Sequence, residues 1–156
     1  MTPTDQPSPE HQRPDGVDDA TVAALGKLSE ALEVAEEARG HLYAFHRRCG
    51  TADLTLGEAV EQFRSAGHTE LADRLDDELV GRNVLEGRWS FQVVEEYDDT
   101  YYSAFTALEQ RARDELVEGR RHLFEAEMKE DRRTHGARHH EAGPEEQPAP
   151  PTRGTT

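Results

Sequence analysis

Cysteine is nearly absent: Cys49 stands alone among 156 residues, which excludes an internal disulfide and is compatible with a reducing compartment. Basic side chains are scarce, with 18 Lys and Arg against 33 Asp and Glu. The resulting formal net charge of −15 repels phosphate backbones and anionic headgroups over a Debye length, so nucleic acid and membrane surfaces are excluded as default partners. No apolar run approaches the roughly 20 residues that a spanning helix needs, and the N-terminus lacks a basic-then-apolar leader; the expected location is the cytoplasm. Proline is missing from residues 18–134, so nothing there forces a helix to break. Chemical motifs are missing too. There is no Gly-rich phosphate loop, nucleophile elbow, Cys-x-x-Cys or His-Glu-x-x-His. The Glu-x-x-His of carboxylate-bridged di-iron bundles is also absent, because the pairs here are Glu-x-x-x-His.

All eight prolines fall in residues 1–17 and 135–156. These ends carry almost no large apolar side chain and cannot bury enough surface to offset ordering entropy. Both are expected to be disordered tails around one helical domain, residues 18–134, a size that a single core supports. His135, His139 and His140 lie in the second tail and would hold metal only weakly.

Inside the domain the period is helical. Asp18 and Asp19 supply N-cap and first-turn carboxylates, and Leu25, Leu28, Ala31, Leu32, Ala35, Ala38, Leu42 and Phe45 recur at three- and four-residue steps. This predicts a helix to about Arg48, with Gly50 as its stop. Thr55-Leu56-Gly57-Glu58 has the form of a capping box and opens a short helix closed by Gly67. A second short helix begins near Thr69, carries Leu71, Leu75, Leu79 and Val80 on one side, and fades between Gly81 and Gly87. From Trp89 the positions Val94, Tyr97, Tyr101, Phe105, Leu108, Ala112, Leu116, Gly119 and Leu123 step by three and four, which predicts a helix of about 40 residues and about 60 Å. The expected fold is all-α, an antiparallel hairpin of two long helices capped by two short ones. The far end of the second long helix has nothing to cover it, so Leu116, Leu123, Phe124 and Met128 form an expected interaction patch and homodimerisation completes the bundle.

Polar residues near the packing stripe are the candidates for chemistry. At 100° per residue, Asp98 falls about 40° from the stripe centre and Glu95 lies at its edge, whereas Glu96 and Asp99 point to water. The plain reading of Asp98 is a boundary carboxylate held by an Arg or a Tyr hydroxyl. In the first helix His41 and His46 occupy opposite shoulders of the stripe, too far apart for one face to bind one metal. An antiparallel hairpin brings His46 across from Asp98 and Glu95. An imidazole facing a carboxylate is a proton-transfer pair or half of an iron, manganese or zinc site, with His41 and Glu37 in reserve; it is equally a polar layer that fixes register. Glu37 with His41 and Glu118 with His122 read as surface i,i+4 pairs, and Cys49 reads as a buried, inert thiol. Arg82, Asn83 and Arg88 surround the break between Gly81 and Gly87. They either neutralise Glu95 and Asp98 or hold an anionic ligand at the open N-terminus of the long helix.

The segments HLYAFHRRCG (41–50) and GRNVLEGRWSFQVVEEYDD (81–99), with sixteen Arg against two Lys in the chain, resemble small uncharacterised helical proteins of high-GC Gram-positive, actinobacterial type. The resemblance covers roughly residues 25–133 and implies a helical fold with no activity attached.

These features point first to a non-enzymatic interaction or regulatory module without cofactor, offering an acidic surface to a basic or amphipathic protein partner. The alternative is a metal-dependent or acid-base site built from His46, Asp98 and Glu95.

Overall fold

The computed structural model describes residues 6–143; the outermost parts of the two expected tails, 1–5 and 144–156, lie outside them. The described residues are helical and form no strand. They comprise α1 (Asp19–Ser65), α2 (Thr69–Glu78), α3 (Ser90–Glu96), a π-helical segment (Tyr97–Tyr102), α4 (Ser103–Val117) and α5 (Leu123–Arg132). The all-α expectation is met. The chain divides into two compact units, one built from the residues up to Ser29 and from Glu109 onward, the other from Glu30–Leu108.

In the 30–108 unit, two expected helices are one. Gly50 does not enter the left-handed region that a glycine stop uses, and the Thr51 hydroxyl donates to the Arg47 carbonyl at 3.1 Å in mid-helix. Thr55 is therefore interior to α1 and caps nothing. Without proline, the roughly 1 kcal/mol that an interior Gly costs is too little to break a helix whose apolar side continues through Leu56 to buried Val60. Reversal comes at Gly67, which is left-handed (φ 87°) and is followed by a 2.9 Å bond from the His68 amide to the Phe63 carbonyl. Helix α2 then places Ala72 in the interior, and Arg64 bridges to Asp73 (3.0 Å) and Asp76 (3.6 Å). The Asp53 carboxylate accepts the Gly81 amide at 2.7 Å. A tight turn over Leu85–Arg88, with Gly87 left-handed, leads into α3. There the Gln92 side chain accepts the Trp89 amide at 2.8 Å. Contacts of α1 with the returning chain run antiparallel, His46 meeting Ser90, Arg39 meeting Asp98 and Glu36 meeting Tyr102.

The other unit has a small core of Val22, Leu25, Val117 and Leu123. Here the expected 40-residue helix ends early. Glu118, Gly119 and His122 all take left-handed φ (58°, 73° and 57°), reversing the chain after Val117 so that α5 returns against α1. A Cβ on Gly26 would lie 2.8 Å from the Phe124 ring, so this contact depends on glycine. Leu123 is thus core and not part of an exposed patch. Residues from Pro9 onward, read from composition as tail, are anchored by polar bonds that an apolar count does not register. His11 donates to the Arg121 carbonyl (2.8 Å), Arg13 grips Glu127 with two bonds (2.9 and 2.8 Å), and Arg120 donates to the Gln12 carbonyl (2.7 Å).

The π segment also shifts which side chains face inward. A π turn closes i→i+5 bonds and so adds one residue to the repeat. Of the expected inward set, Tyr97 still bonds to α1 and Ala112 still packs against the small core, whereas Tyr101, Leu108 and Leu116 give way to their next neighbours in sequence. Asp98 and Tyr102 now meet α1, and Glu109, Arg113 and Val117 are buried. Tyr101, Leu108 and Leu116 are 56%, 64% and 52% exposed.

Candidate functional site

Asp98 is held by Arg39, which donates from Nε (2.7 Å) and Nη2 (3.0 Å) in a bidentate pair, with the Tyr43 hydroxyl at 3.4 Å. The guanidinium carbon lies 5.0 Å from the Tyr43 ring centroid and 4.8 Å from that of Tyr102, so the cation is flanked by two aromatic faces as well as a carboxylate. Tyr97 donates to the Ala35 carbonyl at 3.1 Å, Tyr102 donates to Glu36, and the Tyr97 and Tyr102 rings stack. The electrostatics follow. The hydrogen bond from Arg39 holds the Asp98 carboxyl below its ordinary range, and Asp98 in turn keeps the guanidinium more firmly protonated. Burial raises the Tyr97 phenol, and its bond to Glu36 raises that of Tyr102. The cluster ties the π segment to α1 with both lone charges matched.

His46 does not join it. Its Nδ1 is 2.8 Å from the hydroxyl of buried Ser90, two turns away from Asp98, while Glu95 is exposed. The two helices pair in a register that faces His46 with the start of α3, which separates the imidazole from both carboxylates. His41 and Glu37 form an exposed i,i+4 contact at 3.8 Å. Among the described residues no three His, Cys, Asp or Glu side chains come together as a metal ion would need. Cys49 is half-buried.

The loop from Arg82 to Gly87 lines an open depression of about 550 Å³. Arg82 donates to the Glu78 carbonyl at 3.4 Å, Arg88 pairs with Glu96, and Asn83 is exposed. Arg88 therefore neutralises neither Glu95 nor Asp98. From the turn before α3 the guanidinium reaches Glu96 at the last residue of that helix, and Asp98 is satisfied from α1.

The remaining feature is apolar and lies within the unit of Val22 and Val117. Ala20, Thr21, Ala24, Leu25, Leu28, Ala112 and Leu116 line an open groove of about 350 Å³ between the first turns of α1 and the end of α4. Of the expected patch, Leu116 contributes to it, Phe124 and Met128 are exposed on α5, and Leu123 is buried. On the buried flank of α4, Arg113 donates to Glu109 at 2.7 and 2.9 Å, with Ser29 donating to the same carboxylate at 3.2 Å. Arg113 holds the Glu109 carboxyl below its usual range. On the open flank Arg111 pairs with Glu115 at 2.6 Å. Sequence reading missed Arg39, Tyr43, Glu36 and the Glu109–Arg113 pair. The i,i+4 spacings Arg39/Tyr43 and Glu109/Arg113 were visible, but on a helix drawn without a π turn the second pair falls outside the stripe. Comparison with protein-family models, curated proteins and solved structures gives no match for this chain.

Proposed function

We propose that the protein is a non-enzymatic helical interaction module that self-associates, the groove between the start of α1 and the end of α4 receiving the same surface of a second copy. The observation that carries this reading is the groove itself, open and lined almost entirely by Ala20, Ala24, Leu25, Leu28, Ala112 and Leu116. Its alanines permit close approach of another helix, and its leucines supply apolar area at roughly 25 cal/mol per Å² buried. The charges on either side are paired within the chain, Arg111 with Glu115 and Arg113 with Glu109, so a like surface can dock without stranding a charge. A two-fold contact uses each lining residue twice, which suits a short groove. The wider surface, at a net charge of −15, is suited to a basic protein partner outside the groove, with the cytoplasm as the expected setting. The metal and acid-base alternative has no comparable support, since His46, Asp98 and Glu95 each face elsewhere.

Light scattering on the full chain tests the reading. The wild type should have dimer mass at tens of micromolar, whereas Leu116→Glu should have monomer mass with unchanged helical circular dichroism. A wild-type monomer at that concentration overturns it.

A further inference from the structure

Apolar side chains gather on the turn between α2 and α3, inside the 30–108 unit. Val84, Leu85, Trp89 and Phe91 are all exposed, the last three at 51%, 52% and 45%. Single exposed residues of this kind are ordinary, but a cluster that includes a Trp and a Phe marks a contact surface. Backbone geometry brings them together. Leu85 and Arg88 exchange amide-to-carbonyl bonds at 3.3 and 3.0 Å, which folds the turn on itself and makes Val84 and Trp89 the next pair across it. The Trp89 and Phe91 ring centroids lie 6.5 Å apart, and Val84 and Leu85 line the open depression of about 550 Å³. Rings of this size are the side chains whose burial dominates the energy of interfaces.

Charge decides what covers them. Between Asp76 and Glu96 the chain carries six carboxylates and two guanidiniums. Arg88 is taken by Glu96, and Asp76 shares Arg64. Glu78, Glu86 and Glu95 are exposed and make no ion pair among the described residues. Glu86 lies in the turn itself, Glu78 ends α2, and Glu95 stands one helical turn beyond Phe91 on the same side of α3. A second copy would bring the same excess of negative charge, as would an anionic membrane, so both are repelled.

We propose that the 84–91 turn is a docking site for a basic, amphipathic segment of another protein. That segment sets a Leu-sized or Phe-sized side chain against Leu85, Trp89 and Phe91 and holds Lys or Arg over Glu78, Glu86 and Glu95. Apolar contact supplies the affinity, and the carboxylates steer the approach and select the partner. The site uses no residue of the self-association groove and does not rest on that reading.

Trp89 is the only tryptophan of the chain and reports on the site directly. The probe is a synthetic, Trp-free helical peptide of Leu and Lys, titrated into the full chain. Trp89 emission should move to the blue and become protected from acrylamide as the peptide binds. Leu85→Ser combined with Phe91→Ser should weaken binding by about tenfold or more. Glu78→Gln, Glu86→Gln and Glu95→Gln together should weaken it by about fivefold and flatten its salt dependence. If the first variant loses its helical circular dichroism, the second, which alters only exposed carboxylates, decides, and unchanged binding there overturns the proposal. Emission that does not move with the peptide, an equal response to oligolysine, or a response to phosphatidylglycerol vesicles in its place also overturns it. The Leu116→Glu chain should respond as the wild type does. A response lost in that variant places the peptide in the groove and overturns the docking site, whereas a wild-type chain that never dimerises leaves the result untouched.

Discussion

Replacing Arg113 by Met isolates the most buried ionic contact among the described residues. Glu109 and Arg113 are 5% and 9% exposed. The guanidinium supplies both bonds to the carboxylate, a third to Gln110 (2.7 Å) and a fourth to the Gly119 carbonyl at the end of α4 (3.3 Å). Without it Glu109 keeps only the Ser29 hydroxyl at 3.2 Å. Leaving one partner of such a pair uncompensated costs about 3–5 kcal/mol. The pair lies at the flank of a small core, so about 3 kcal/mol is expected, or about 6–12 °C in Tm for a chain of this size. Glu109→Leu combined with Arg113→Met leaves no stranded charge and should recover to within about 1 kcal/mol of wild type, or exceed it. Urea and thermal unfolding followed by far-UV circular dichroism measure both. Acid supplies a second check. Glu109 titrates below its ordinary value because of Arg113, so the stability it contributes is complete above the unfolded carboxyl value and is lost as pH falls through the folded one. The gap between wild type and Arg113→Met should therefore hold at neutral pH and close only in acid, below the usual carboxylate range. A single variant that loses less than about 1 kcal/mol, or a double variant as unstable as the single, would refute the reasoning.

Two glycines of α1 should respond with opposite sign. Gly26→Ala places a methyl 2.8 Å from Phe124 and should destabilise, because overpacking of about 1–3 kcal/mol outweighs the propensity gain of about 1 kcal/mol. Gly40→Ala meets nothing within 4 Å and should stabilise by up to about 1 kcal/mol in the same unfolding assay. The phenols of Tyr97 and Tyr102 titrate above their ordinary value of 10.0. The stability they contribute is present below the unfolded value and lost as pH rises through the folded one; an ultraviolet titration should find both still protonated when free tyrosine is half ionised, and equal ionisation would count against the packing around Arg39. Asp98→Asn removes the charge from a half-exposed bidentate pair and should cost about 1 kcal/mol, with faster amide exchange confined to 97–102; protection unchanged there would show that the pair does not hold the π segment.

The helical class was legible because proline is absent from the middle of the chain and the apolar steps of three and four are unbroken. The reversal at Gly67 was legible because only glycine takes φ 87° without strain. Gly50 and the Thr55 capping box misled for a related reason, since both are permissive signals. Whether a helix stops at a glycine depends on a left-handed turn being rewarded by packing, and at Gly50 the backbone stays helical. The early end of the second long helix and the π turn were not legible. Tertiary contacts, namely Arg39 on Asp98 and Phe124 on Gly26, decide between phases that local pattern leaves equally good. The separation of His46 from Asp98 is a matter of register along two helices, which periodicity does not fix. Asp98 itself was placed correctly as an inward-leaning carboxylate, because its angle to Val94 changes little across a single turn.

Sedimentation equilibrium of the wild-type chain across an ionic-strength series tests the central claim most directly. Two copies that each carry −15 repel, and the contact between them is apolar, so raising salt from about 0.01 M to about 0.5 M shortens the screening length from about 30 Å to a few ångströms and should strengthen the dimer. Leu116→Glu should remain a monomer throughout. A dimer that weakens with salt, or one that survives Leu116→Glu, would mean that association is ionic or lies elsewhere, and would contradict the assignment of the α1–α4 groove.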